Sequence, residues 1–148
     1  MKKLNQLLSI FVLLMIALSF FTVVAHFFFN KVFIPVQELI IYFHSSIFML
    51  GIVYAFSEDK HVRIDIFYQT YSARKKSKIN LYGLIFLLLP LFSFVFYISL
   101  DYVLASWSKL EGSAESGGLP FVYGQKTLIL ILPISMIAYS LKQVFRKL

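Results

Sequence analysis

The chain has 148 residues, 59 % of them apolar and 18 % aromatic, with a mean hydropathy of +0.81; that leaves too little polar surface to cover a water-soluble globule. The net charge of +7 does not point to nucleic acid, because the basic residues sit at the ends of apolar runs and form no groove or aromatic-interleaved platform. With no cysteine, a disulfide framework, thiolate chemistry and cysteine-ligated metals are excluded.

A membrane span needs about 20 mainly apolar residues. Four such runs follow one another with short polar joints, at about residues 7–29, 35–56, 79–103 and 121–141. They predict a single all-α membrane domain. Residues 1–6 are a short cap carrying Lys2 and Lys3, and 7–29 is uninterrupted apolar sequence. A signal peptide competes for this stretch, with Val23-Val24-Ala25 as its cleavage site, but the run exceeds the 7 to 15 or so residues of an ordinary h-region. It reads as an uncleaved first span. Residues 30–34 leave room only for a tight hairpin, and Pro35 opens the second span, where its missing N–H costs nothing.

The second span is the most polar of the four. At 100° per residue, Gln37, Glu38, Tyr42, His44 and Ser45 fall on one half with Ile41 and Phe48, while Leu39, Ile40, Phe43, Ile47 and Leu50 fall on the other. Polar groups at membrane depth are costly when turned to lipid, so this half is expected to face protein. Glu38 needs a donor there, and a partner's helix is expected to supply it.

Residues 57–78, SEDKHVRIDIFYQTYSARKKSK, form the long polar connection and hold six of the fourteen Lys and Arg. After Asp65, a plausible N-cap, Ile66, Phe67, Thr70 and Tyr71 cover one arc and Tyr68, Gln69 and Ser72 the opposite one. That pattern predicts a short amphipathic helix in the headgroup plane, followed by a basic run reaching anionic phosphates. Tyr68 and Gln69 are expected to tolerate change. Span three is long and has Pro90 at its middle, which predicts a kink. The connection 106–120 is rich in Gly and Ser and bears little net charge, and span four is interrupted by Pro133.

Eleven of the fourteen Lys and Arg fall on one side if the N-tail, the central connection and the C-tail share it. By the positive-inside rule that side is cytoplasmic, with both termini on it, and the 106–120 loop is outside.

Two chemistries stand as alternatives to a scaffold. One is a haem-bearing anchor subunit of a respiratory enzyme, since intramembrane His in a helical bundle can hold haem b. His26 and His44, however, differ in depth by roughly 10 Å at 1.5 Å per residue, whereas two axial ligands must lie nearly level. The other is a small self-contained transporter. Glu38 and Asp101 are its only intramembrane carboxylates, both near the outer boundary, and no Gly-rich helix break marks a midplane substrate site. The expectation is a non-enzymatic helical scaffold with no catalytic residues, cofactor or metal site.

The order of these features resembles the small membrane (DctQ-like) subunit of tripartite ATP-independent periplasmic (TRAP) transporters. The resemblance rests on four spans, a Glu early in span two, Glu58-Asp59-Lys60-His61-Val62-Arg63-Ile64-Asp65 after it, a basic run before span three, and Gly118-Leu119-Pro120 followed by Ile131-Leu132-Pro133. Its most specific piece is His61-Val62-Arg63-Ile64-Asp65. The chain departs from the family in having Asn30-Lys31 where many members have Arg, and Phe121 where Trp is more familiar. The resemblance implies sodium-driven uptake of organic acids across the bacterial inner membrane. A large multi-span membrane subunit would carry the substrate and sodium sites, and a periplasmic binding protein would deliver substrate. It also implies a structural role for His61, Arg63 and Asp65.

Overall fold

The computed structural model describes residues 2–58, 68 and 70–147. Among them there are no strands, and four helical segments are long and apolar enough to cross a membrane. Helix α1 is Lys2–Phe29, α2 is Ile34–Ser57, α3 is Ala73–Gly83, α4 is Leu89–Ser108 and α5 is Val122–Lys147. The expected headgroup-plane helix lies mainly outside the described residues, which leaves out His61, Arg63, Asp65, Ile66 and Phe67. Of its far end, Tyr68 and Thr70 lie in turns and Ser72 is extended, with φ −62° and ψ 155°.

Each boundary has a local cause. α1 stops where Asn30 adopts φ 47° and its N–H donates to His26 O at 3.0 Å, the left-handed C-cap that Asn tolerates better than most residues. α2 starts four residues later with Pro35 in its first turn, as its fixed φ favours. α4 ends in a Schellman motif: Leu110 takes φ 45°, its N–H donates to Trp107 O, and Glu111 N–H donates to Ser106 O.

The third span differs from its sequence boundaries. α3 and α4 are joined by a π-helical turn, Leu84–Leu88, into one helix from Ala73 to Ser108, 36 residues long. At 1.5 Å per residue that is about 54 Å, well beyond the roughly 30 Å hydrocarbon layer. Arg74, Lys75, Lys76 and Lys78 are therefore helical turns standing outside the hydrocarbon and not a loop. Pro90 has no N–H to give Phe86 O and crowds that carbonyl. One turn earlier the helix widens, and Leu89 N–H reaches back five residues to Leu84 O. Pro133, in contrast, sits fully buried inside a continuous α5.

The helices stand in a row. α1 packs on α2, α2 on α5, and α5 on the third span, while α1 and the third span make no extensive contact. The buried positions follow the seams: Ala25 and Leu8 on α1, and Leu84, Val103, Ser106, Met136 and Ser140 between α5 and the third span. Several are small, as close helix approach in a membrane requires. Two serine hydroxyls are satisfied within their own helices, Ser19 Oγ donating to Met15 O at 2.7 Å and Ser140 Oγ to Met136 O at 2.7 Å. The row leaves much apolar surface uncovered. Its accessible area is 10515 Å², whereas a compact globular chain of 17.2 kDa has roughly 7,800 Å².

Candidate functional site

The loop connecting α4 to α5 is built onto α2 through one carboxylate. Glu38, one turn into α2, receives the Leu119 N–H on Oε2 at 2.5 Å and the Ser113 hydroxyl on Oε1. Ser113 N–H in turn donates to Leu119 O at 3.0 Å, and Ser113 Oγ accepts Glu115 N–H at 3.0 Å. A turn closed by Gly118 N–H to Glu115 O places Gly117 at φ 79°, a conformation that favours glycine. Gly118 is needed for a different reason. A Cβ there would lie 2.5 Å from Ser113 Cβ and 2.6 Å from Glu38 Oε1, so only a bare backbone lets the loop close over the carboxylate.

Further ties hold the same loop to α5. Lys126 Nζ pairs with Glu111 Oε2 at 2.6 Å and lies 4.2 Å from the Tyr102 ring centroid. Trp107 Nε1 donates to Thr127 Oγ1 at 2.9 Å, and the Trp107 and Tyr123 rings meet edge-on at 4.7 Å. The hydrogen bond from Lys126 is the main cause holding the Glu111 carboxyl below the ordinary carboxylate range. A Gly- and Ser-rich connection is thereby fixed at both ends and in its middle.

This geometry divides the polar half of α2. Glu38, Tyr42 and Ser45 turn inward, toward the loop and α5. Ser45 Oγ accepts Gln125 Nε2 at 3.3 Å and donates to Tyr42 O at 3.1 Å. Tyr42 Oη is enclosed without a hydrogen bond, and its residue lines a cavity of about 280 Å³ with Ser46, Gln125 and Leu128. Gln37, Ile41, His44 and Phe48 remain exposed along one stripe of α2. The expected external donor to Glu38 is thus replaced by donors from this chain's own loop, because the 106–120 connection folds back over α2 and not away from it.

At the basic end, Tyr71 is half-buried, and Lys75 Nζ sits 3.9 Å from its ring centroid. Tyr68 is not the free position that its place on the helical projection suggested. Its hydroxyl accepts Asn80 Nδ2 at 2.8 Å, and Lys76 lies over its ring at 5.4 Å. Asp101 is exposed near the loop end of α4. Sequence reasoning missed Ser113, Glu111 and Lys126 as a structural set. The usable signal was Gly117-Gly118 in a loop that also offers a hydroxyl and lies at the depth of the lone carboxylate of α2.

Among the described residues no cluster of three or more His, Asp or Glu could hold a metal ion. The arrangement orders a loop and presents a face. Neither a curated protein nor a solved structure matches the chain. The family described as tripartite ATP-independent periplasmic transporters, DctQ component, matches residues 15–148. With that match running through all four spans and the loop that Glu38 holds, the chain belongs to the DctQ component family, the small membrane subunits of TRAP transporters.

Proposed function

We propose that this subunit is the scaffold of a sodium-driven importer of organic acids, binding a large membrane subunit in the inner membrane while a periplasmic protein delivers substrate. The observation that carries the reading is the exposed stripe Gln37, Ile41, His44 and Phe48 on α2. Neither of its polar side chains has a hydrogen bond to any described residue; His44 lies ten residues after the start of a membrane helix, and a polar group there is costly against lipid. A partner helix relieves that cost. An organic anion crossing the bilayer centre needs compensating charge or helix N-termini, and none is found at mid-span among the described residues. Transport therefore belongs to the partner.

In proteoliposomes with a sodium gradient, this chain plus the binding protein should take up no substrate, and uptake should begin when the large subunit is added. His44→Leu with Gln37→Leu should weaken co-purification of the two membrane subunits more than Asp101→Leu. Uptake by this chain alone would replace the scaffold reading with the small self-contained transporter.

A further inference from the structure

A cleft of about 1020 Å³ opens at the basic end between α2, α5 and the third span, at the upper end of the range of about 300–1,000 Å³ usual for ligand sites. Its lining is graded. Glu58, Asn80, Gln143 and Arg146 stand at the mouth, near the ends of α2, α3 and α5. Deeper in, the walls are Ile52, Leu84, Leu88, Leu91 and Met136, with the widened π turn forming one side. We propose that this cleft seats one anionic phospholipid, its acyl chains along the π turn and its phosphate at Arg146.

Three observations favour that occupant. The polarity gradient of the lining, charged at one end and apolar for the rest, is that of a phospholipid lying parallel to the helices. Charge complements it: Arg146 and Glu58 are the charged residues of the lining, and Arg74, Lys75, Lys76, Lys78 and Lys142 lie at the same end, in excess of the acids Glu58, Asp59 and Asp65 of the 57–78 connection. Four of those cations also occupy the first turns of α3, where the helix dipole repels positive charge; an anionic headgroup layer offsets that repulsion.

The purified full chain, titrated with phosphatidylglycerol or phosphatidylcholine in detergent, reports the site by native mass spectrometry. One phosphatidylglycerol should be retained where phosphatidylcholine is lost. Arg146→Gln, a change at an exposed side chain, should weaken retention about tenfold, the loss of one charged hydrogen bond. Gly83→Leu should block the cleft from within, since a Cβ at Gly83 meets no atom within 4 Å and the added side chain enters the space that Gly83 lines. Lys109→Gln at the far end should change nothing. Equal retention of the two lipids, or phosphatidylglycerol retention indifferent to Arg146→Gln, would overturn the proposal. So would displacement of the lipid by the large membrane subunit, which would make the cleft a protein seat.

Discussion

Gly118 and Glu38 make one unit: the carboxylate supplies acceptors to the loop, and the missing side chain lets the loop reach them. Gly118→Ala should therefore detach residues 113–119, at a cost of about 1.5–3 kcal/mol for bonds to a charged group. Gly112→Ala is the control, because a Cβ at Gly112 meets only Pro120 Cα at an ordinary 3.6 Å. Limited proteolysis of the loop should rise in the first variant and stay at the parent rate in the second. The nearby Glu111–Lys126 pair predicts a pH dependence. Since Glu111 is held below its ordinary pKa in the folded loop, its contribution is full above the unfolded value of about 4.3. It is lost as pH falls through the lower folded value. Fluorescence of Trp107, the single tryptophan, should report loosening of the loop on acidification below about pH 4. Lys126→Gln should move that transition to higher pH.

At the scale of the element, the third span shows how a helix accommodates what its sequence forbids. Pro90 removes a donor in mid-span, and the widened turn before it redistributes the bonds so that the helix continues from Ala73 to Ser108. Extending the helix to Ala73 carries its basic residues past the bilayer edge. There Asn80 on α3 holds Tyr68 of the preceding connection by a 2.8 Å hydrogen bond. Tyr68→Phe should loosen this attachment by about 0.5–1.5 kcal/mol, read as faster hydrogen exchange in α3. Parent-like exchange would mean that the bond contributes nothing. For the connection itself, the amphipathic-helix proposal predicts that replacing Ile66, Phe67 and Tyr71 together by Ser lowers membrane-embedded yield, at roughly 1.5–3 kcal/mol for each apolar side chain exposed.

For the whole molecule, the helices stand in a row and leave apolar faces uncovered. Phe27 is 79 % and Phe20 71 % exposed on α1, and such continuous apolar surface belongs to lipid or to another subunit. Orientation in the bilayer rests on the distribution of Lys and Arg. Reporters fused after Lys78 and after Leu148 should read cytoplasmic and one at Gly117 periplasmic. A cytoplasmic signal at Gly117 would invert the arrangement.

The number of membrane spans, the hairpin at Asn30, the start of α2 at its proline and membership of the family were legible because each depends on local chemistry: apolar run length, a fixed φ, a missing N–H, a short motif. The direction in which each polar residue of α2 turns was not. A helical projection placed Gln37, Glu38, Tyr42, His44 and Ser45 on one half, but half a helix is wide enough to meet both its own loop and an outside partner. Only the return of residues 106–120 over α2 assigned Glu38 to the loop and left Gln37 and His44 facing outward. That return depends on contacts about 75 to 81 residues apart. Periodicity reports neighbours a few residues away on one helix, and only tertiary packing pairs a carboxylate with a glycine so distant in the chain.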